Sequence, residues 1–363
     1  MSPRVSVICP AFNRGAALVS TLRSVQAQSI PDWELIVVSD GSTDETDDVV
    51  RDMSRSDPRI RLHRAPRHGH PSGPCNIGAE LASAPVHAYL AHDDHWESHH
   101  LEVLLSALGR DTALVYGRAV REDGTGRSLG TTEWFSQLWH PDIQAVNVLF
   151  EPVRALWWAD AVAEVGGWRE SAEGLEDWDL WLRLARAGHR FTPVGDVTAR
   201  IYESPSTRKH QLACPHDVPL AVFPDPREAR AAVRTLTDRR LTQRFLDAYR
   251  EDTIAWHLSL LAAQQFAIPD GWDVRPGDLE EAIADVVAQE VRVWESLRVT
   301  QTADGWRVGS VVATQTAEHA AHIAQLVAAH MPRLSACVAE ALGRPLLSGP
   351  PFAGRAEHEG AAV

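Results

Sequence analysis

The segment VSVICPAFNRGAALVSTLRSVQAQSIPDWELIVVSDGST, residues 5–43, decides which fold the sequence predicts. Two short β-rich runs, at 5–9 and 34–39, flank an amphipathic stretch at 16–28 that is typical of a helix. Similar strand and helix patterns alternate as far as residue 120. This spacing predicts a parallel, doubly wound α/β sheet, in which ligands bind at the carboxyl ends of the strands.

Three polar motifs come directly after predicted strands, so we expect them to open onto one edge of the sheet. They are PAFNR at 10–14, SDGS at 39–42 and AHDD at 91–94. Asp40 could accept a hydrogen bond from a nucleobase N–H or a ribose hydroxyl, and Arg14 could meet a phosphate. Ordinary strand-to-helix turns would explain both residues without a ligand, and STDE at 42–45 has the spacing of a helix capping box.

The adjacent carboxylates Asp93 and Asp94 are the more specific signal. Mg²⁺ and Mn²⁺ prefer carboxylate oxygens and share them with substrate phosphates. The alternative is a zinc ion held by His95 and His99, which are four residues apart. The glutamate of HWESH stands at the third position, however, so the metalloprotease signature HExxH fails. For His99 and His100 we expect a solvated helix start.

A third carboxylate group lies in LEDWDLWLRLARAGH, residues 175–189. Glu176, Asp177 and Asp179 fall at a predicted helix N-terminus, where the helix dipole favours anions. Capping alone would explain them. Alternatively, one of them acts as a general base on a hydroxyl group. Trp178 and Trp181, three residues apart, could form an apolar or sugar-binding wall, but Trp181 is spaced with apolar residues on one helix face and is predicted to belong to the core.

The composition of the chain argues against several classes of partner. The 363 residues are 44% hydrophobic and carry a net charge of −14, which argues against nucleic acid or an anionic membrane as the main partner. The four cysteines are far apart and form no CxxC pair, so they are expected to be reduced thiols. No apolar run is long enough for a signal peptide or a transmembrane segment, and we expect a cytoplasmic protein.

The pattern changes after residue 205, where a linker-like segment precedes long helical stretches. Among them are predicted helices at 241–266 and 317–342, of which Pro332 should kink the second, and a short strand candidate lies at 306–313. We therefore predict a domain at 1–215, a mainly helical C-terminal domain at 216–345 and a disordered tail at 346–363. The C-terminal helices could form an acceptor platform, a homodimer interface or a dock for another partner.

The order of the motifs is more specific than any one of them. PAFNR, VVSDGSTDET, CNIG, YLAHDD, GGW and LEDWDLWLRLARAGH together resemble the family 2 glycosyltransferases with the Rossmann-like GT-A fold, over about residues 4–205. The resemblance implies a GT-A domain that transfers a sugar, with inversion, from a nucleotide-diphosphate donor to an acceptor hydroxyl. It also implies a UDP-sugar as the commonest donor and Mg²⁺ or Mn²⁺ as the cofactor.

The resemblance also assigns roles to residues. Asp177 matches the catalytic base, and Glu176 is its neighbour in the acceptor pocket. Asp93 matches the carboxylate at the ribose or metal edge, and Asp94 matches the metal-side one. His210 falls where a closing loop could supply a late metal or phosphate ligand, although a linker histidine is the alternative. The donor site would comprise Pro10, Ala11, Phe12, Arg14, Asp40, Asn76 and Asp93.

Two departures from the family pattern accompany this assignment. Ala91 stands where the family often has a first aspartate, and Cys75 precedes Asn76 where many members have an arginine. Arg67, His68 or His70 could take the place of that arginine. A nucleotidyltransferase is one alternative function, but PAFNRGAAL is poor in the glycine and basic residues of a phosphate loop. A non-catalytic nucleotide-sugar-binding protein is another, and the intact carboxylates argue against it.

Overall fold

The computed structural model describes residues 2–147, 149–170, 175–203, 217–289, 297–311 and 316–347. His210 and the greater part of the predicted tail lie outside these ranges. The chain forms two compact units, one made of residues 1–213 together with 264–274, the other of 214–263 together with 275–363. The sequence pattern gave no indication that 264–274 belongs with the first unit.

A mixed β-sheet of nine described strands forms the centre of the first unit, in the order β3-β2-β1-β4-β8-β6-β9-β5, with β7 paired to β6. The strands are β1 (Val5–Ala11), β2 (Trp33–Asp40), β3 (Ile60–Ala65), β4 (Val86–Tyr89), β5 (His95–Trp96), β6 (Leu114–Glu122), β7 (Ser128–Thr131), β8 (Ala155–Trp158) and β9 (Phe191–Tyr202).

Strands β1 to β4 are parallel neighbours, as the alternating pattern predicts. The prediction of a parallel sheet is wrong beyond them, because β8 pairs antiparallel with both β4 and β6. The chain returns from β6 through β7 and short helical turns, and an antiparallel neighbour needs no crossover helix. The result is a mixed α/β sheet.

Helices cover the sheet, so its central strands β1 and β2 are buried along their whole length. The helices are α1 (Gly15–Gln26), α2 (Thr46–Ser56), α3 (Ser72–Leu81), α4 (His100–Ala107), α5 (Pro141–Val146), α6 (Ala159–Glu164) and α7 (Glu176–Arg186). Every residue of β1 and β2 is buried, which is typical of parallel strands covered on both faces. Leu18, Leu22 and Val25 of α1 belong to the same core as Val7 and Leu35.

A second group of buried side chains is aromatic. The Trp181 ring lies 5.7 Å from the ring of Trp157, 6.1 Å from that of Trp168 and 5.3 Å from that of Phe150. Trp181 is fully buried, which confirms its predicted place in the core. These rings therefore contribute packing and do not line a sugar-binding wall.

The second unit is mainly helical, as predicted, but it also contains a small antiparallel sheet in the order β10-β12-β11. Of these strands the sequence predicted one. The strands are β10 (Asp217–Phe223), β11 (Leu297–Thr302) and β12 (Gly305–Val311), and the helices are α8 (Pro226–Leu236), α9 (Arg239–Ala262), α10 (Pro276–Gln289), α11 (Ala317–His330) and α12 (Pro332–Leu342).

Two helix boundaries differ from the predicted pattern for local reasons. The predicted helix at 241–266 ends at Ala262, and Gln264 has a left-handed φ of 54°. The predicted kinked helix at 317–342 is two helices, because Pro332 occupies the first turn of α12. No helix within the described ranges is both long and apolar enough to cross a bilayer.

Candidate functional site

The carboxyl ends of β1, β2 and β4 meet at one edge of the first unit. Ala11 pairs with Ser39 across β1 and β2, and Ile8 pairs with Tyr89 across β1 and β4. The three motifs that follow these strands therefore share this edge. Their side chains differ in exposure and in hydrogen bonding, and those differences determine what each can do.

The PAFNR turn is tied to the loop after β2. Asn13 has a left-handed φ of 48°, and its Oδ1 accepts a hydrogen bond from the backbone N–H of Thr43 at 2.8 Å. The backbone N–H of Gly15 donates to Asp44 Oδ2 at 3.2 Å. A Cβ at Gly15 would lie 2.5 Å from Cγ of Glu45, so this approach requires glycine. The two loops consequently form one rigid surface beneath the edge.

These contacts correct the expected capping box at 42–45. Helix α2 begins at Thr46 and its N-cap residue is Glu45, whose side chain makes no capping hydrogen bond. Ser42 Oγ instead accepts the backbone N–H of Asn13 at 3.2 Å, and Asp44 binds Gly15. The polar residues of STDE thus hold the neighbouring loop.

Asp40 is buried at the end of β2 and is almost saturated with hydrogen bonds. Its carboxylate accepts the backbone N–H of His68 at 2.6 Å and of Gly69 at 3.1 Å, and it pairs with the guanidinium of Arg67. A carboxylate has about four acceptor positions, so about one stays open to a ligand. Asp40 therefore anchors the 67–69 segment as well as facing the edge.

Arg67 is one of the three residues that could replace the arginine missing before Asn76. Its guanidinium lies over the Phe12 ring, 3.5 Å from the centroid, while also pairing with Asp40. The stack joins the first and second motifs through a cation–π contact. A flat, positively charged surface thus stands at the strand ends.

The two aspartates of AHDD have different surroundings. The Asp93 side chain is 26% exposed and borders a cleft. Asp94 is buried, and its Oδ1 accepts the backbone N–H of Tyr202 in β9 at 2.9 Å. Burial, followed by the charge of Asp93, raises the pKa of Asp94 well above its usual range. Asp93 is therefore the carboxylate open to a ligand, while Asp94 secures the end of β9.

His92 connects the first motif to the third, and the sequence did not single it out. Its Nδ1 lies 3.2 Å from the carbonyl oxygen of Pro10, and Arg14 Nε donates to its Nε2 at 3.4 Å. Both contacts suit a neutral ring protonated at Nδ1. Burial lowers the pKa of His92, and the charge of Asp93 opposes that shift.

A cleft of about 310 Å³ opens beside Asp93. It is bounded by α1, the β6–β7 turn and the end of β9, and its lining residues are Arg14, Ala17, Ser20, Asp93, His95, Glu122, Asp123, Gly124, Gly126, Arg200, Ile201 and Tyr202. Sequence reasoning missed the residues from 122 onward, because the pairing of β6 with β9 is not local. The turn-forming glycines of EDGTG after β6 were the only available signal.

The three carboxylates at the start of α7 differ in their exposure and in their contacts. Asp177 is partly exposed, and its Oδ1 accepts the backbone N–H of Trp178 at 2.8 Å. Glu176 is buried, with its Oε2 3.4 Å from His70 Nε2. Asp179 is buried in ion pairs with Arg169 and Arg183 at 2.9 and 2.8 Å. Asp177 is therefore the member of the group best placed to meet a substrate.

Asn76 holds the GGW loop. Its Nδ2 donates to the Trp168 carbonyl at 2.8 Å, and its Oδ1 accepts the Trp168 backbone N–H at 3.0 Å. Arg183 reinforces this loop by donating to the carbonyl of Gly167 at 2.7 Å. Both ends of the Asn76 amide are thus engaged, so of the predicted donor contacts this is the one that the geometry supports least.

The histidines near AHDD do not form a zinc site. His99 Nε2 lies 3.2 Å from the carbonyl oxygen of Val197. His100 is fully buried, with its Nδ1 3.0 Å from Thr198 Oγ1, and burial lowers its pKa to about 3. The prediction of a solvated helix start is wrong for His100, because β9 packs against it. Within the described parts of the chain, no group of three or more His, Cys, Asp or Glu side chains could hold a metal ion.

Known proteins resemble the region that contains this edge. Residues 6–156 match the family model described as "Glycosyl transferase family 2". A GalNAc(5)-diNAcBac-PP-undecaprenol beta-1,3-glucosyltransferase of Campylobacter jejuni is 35% identical over 122 residues, which are 33% of this chain and 39% of that protein. A putative teichuronic acid biosynthesis glycosyltransferase, TuaG of Bacillus subtilis, is 36% identical over 100 residues, 28% of this chain and 40% of that protein.

The match to these relatives is confined to part of each protein, since the chain spans well under half of their length. A crystal structure of residues 1–349 of S. aureus TarS with UDP-GlcNAc covers 87% of this chain and 97% of its own, with 15% identity and a TM-score of 0.49. At this identity the ligand of TarS cannot be assigned to this chain. The family match spans β1, β2 and β4 with their terminal motifs, so residues 6–156 of this chain are similar to glycosyl transferase family 2.

Proposed function

We propose that the chain is an inverting glycosyltransferase that moves a sugar from a nucleotide-diphosphate donor, with a UDP-sugar as first candidate, to an acceptor hydroxyl. One observation carries the proposal. Within the region that is similar to family 2, the ends of three parallel strands bring an exposed arginine, a buried aspartate and a half-exposed aspartate to one edge. These side chains supply a cation for phosphates, an acceptor for a base N–H and a ligand for a metal.

The donor would bind along the first two motifs. Pro10 and Ala11 form the strand end beneath it, and Phe12 with the guanidinium of Arg67 offers a flat surface for a nucleobase. Asp40 keeps about one acceptor position for a base N–H. Arg14 gives one N–H to His92 and has others for the diphosphate.

The residues present fit a divalent cation that is shared with the donor. Mg²⁺ is usually bound by one or two carboxylates together with substrate phosphate oxygens. Asp93 offers an exposed carboxylate, and Asp94 can add only the oxygen that Tyr202 does not engage. His210 stays in the proposal as a late ligand. When bound, the ion would offset the charge that grows on the leaving diphosphate.

Asp177 is the proposed general base. Its carboxylate stands in the first turn of α7, where free N–H groups favour the anion. It would take the proton of the acceptor hydroxyl while the oxygen attacks the anomeric carbon from the face opposite the diphosphate. A single displacement of this kind inverts the anomeric configuration and needs no glycosyl-enzyme intermediate. Glu176, buried beside it, would help to shape the acceptor pocket.

The first test is a thermal-shift panel of UDP-, GDP- and TDP-sugars with and without Mn²⁺. We expect at least one donor to stabilise the protein in a metal-dependent manner, because the donor and the ion would share Asp93. That donor is then assayed for release of nucleoside diphosphate. If no donor stabilises the protein in the presence of Mn²⁺, the proposal is wrong.

The second test distinguishes a role of Asp177 in catalysis from a role in donor binding. Asp177→Asn should bind the donor as the wild type does and lose transfer. Asp160→Asn is the matched control, because Asp160 also lies in a first helical turn and also accepts the next backbone N–H, at 2.8 Å. Unchanged turnover in Asp177→Asn would exclude the assigned role.

A further inference from the structure

A buried histidine contacts the residue next to the proposed base. His70 lies between β3 and α3, and its Nδ1 accepts the backbone N–H of Ser72 at 3.2 Å. An imidazole nitrogen that accepts leaves the proton of the neutral ring on the other nitrogen. Nε2 consequently carries the proton and lies 3.4 Å from Glu176 Oε2, a close polar contact between two buried atoms.

This pair lies away from water. The side chains of His70 and Glu176 are 7% and 8% exposed. A carboxylate taken out of water is unfavourable unless a donor or a cation faces it, so the imidazole N–H matters more here than at a surface. The two residues stand more than a hundred positions apart in the sequence. The contact is therefore a product of the tertiary fold.

The contact secures the start of α7. Leu175, the N-cap residue, has a left-handed φ of 61°, which is unfavourable for a residue with a Cβ. Glu176 is the first residue of the helix, and Asp177 is the second. The close contact of His70 with the side chain of Glu176, on the α3 side of the site, thus limits how far the first turn of α7 can rotate or shift.

We propose that His70 is a positioning residue, which holds Glu176 and through it the first turn of α7, so that the Asp177 carboxylate is directed at the acceptor hydroxyl. This inference rests on the proposed function. A general base must lie within hydrogen-bond reach of the proton it takes, and a displacement of about 1 Å can lower a rate about 100-fold. His70 does not contact the reacting atoms.

Two substitutions separate the hydrogen bond that His70 accepts from Ser72 from its contact with Glu176. Glutamine carries its amide about as far from the backbone as Nε2, and asparagine only about as far as Nδ1. His70→Gln therefore keeps a donor for Glu176, whereas His70→Asn keeps only the bond to Ser72. Both variants stay polar, so their stability should be similar. His189→Asn is the control, because His189 pairs with Glu164 at 3.2 Å at a more exposed site.

The assay is release of nucleoside diphosphate from a donor that passes the thermal-shift panel, with Mn²⁺ and with water as acceptor. We expect His70→Asn to lower kcat about 10- to 100-fold and to leave KM for the donor within about twofold. His70→Gln should keep kcat within about threefold, as should His189→Asn. A general loss of structure would lower kcat in both His70 variants and would also change KM.

A double-mutant comparison tests the path through Glu176. In a Glu176→Gln background, His70→Asn should change kcat by less than about twofold, because the interaction is already altered. Equal activity of His70→Asn and wild type overturns the inference, as does an additive loss in the Glu176→Gln background. Those outcomes leave the proposed function intact where Asp177→Asn is inactive. Absence of diphosphate release from every donor overturns both.

Discussion

Substitution of Asn76 should reduce stability and leave nucleotide affinity nearly unchanged. The side chain makes two hydrogen bonds to the backbone of Trp168, at 2.8 and 3.0 Å. Each net bond contributes about 1 kcal/mol, and a partly buried backbone group that loses its partner adds to the cost, so Asn76→Ala should destabilise the first unit by about 2–4 kcal/mol. Asn76→Asp should cost at least as much, because a carboxylate oxygen would then face the Trp168 carbonyl.

Urea unfolding followed by tryptophan fluorescence measures this loss, and titration with nucleoside diphosphate measures binding. Gln243→Ala is the matched control, since that amide is exposed and makes a single bond to Asp247 at 3.0 Å, and we expect a change below about 0.5 kcal/mol. If Asn76→Ala unfolds like the wild type but loses nucleotide affinity, Asn76 is a donor ligand and the structural interpretation is wrong.

Three further changes test other parts of the molecule. Asp252→Ala removes a buried carboxylate that accepts the backbone N–H of Leu334 at 2.9 Å, and urea unfolding should show a loss of about 2–4 kcal/mol. Burial lowers the pKa of His100 to about 3, so below pH ~6.5 the unfolded chain binds a proton that the folded chain does not. Between pH 7 and 5 the wild type should therefore lose about 2 kcal/mol of unfolding free energy through this residue, and His100→Gln should lose about 2 kcal/mol less than the wild type. Arg67→Ala removes the cation from Asp40, and calorimetric titration should show nucleoside-diphosphate affinity about 5- to 10-fold weaker.

Two of these have a control in the same part of the fold. Asp247→Ala, on the same helix as Asp252 but 47% exposed, should change stability by less than about 0.5 kcal/mol. Arg64→Ala, whose side chain is 68% exposed, should keep the nucleoside-diphosphate affinity of the wild type. Variants that behave like their controls would contradict the corresponding prediction.

The sequence predicts those features of the fold and site that depend on local pattern. Strand ends are marked by an apolar run that stops at polar residues, so the shared edge of Arg14, Asp40 and Asp93 followed from the pattern alone. The alternation of strands with helices likewise predicted that β1 to β4 are parallel. The order of the motifs then indicated the family, which the match over 6–156 bears out.

What the sequence did not predict depends on contacts between distant segments. The burial of His100 requires β9 to pack against α4, and the antiparallel position of β8 requires the long return from β6. The contact between His70 and Glu176 joins the α3 side of the site to α7. No spacing rule in the sequence reports such contacts, because each partner has an ordinary local explanation as a turn or cap.

The alanine at position 91 has a physical consequence for metal binding. With Ala91 in place of a carboxylate and Asp94 bound to the backbone of β9, Asp93 is the carboxylate of this motif that is open to the cleft. One carboxylate binds a divalent ion weakly by itself, whereas a diphosphate adds further oxygens and two negative charges. The ion should therefore bind together with the donor rather than before it. His92, which faces Arg14 and Pro10, would keep that arginine near the diphosphate while the ion arrives.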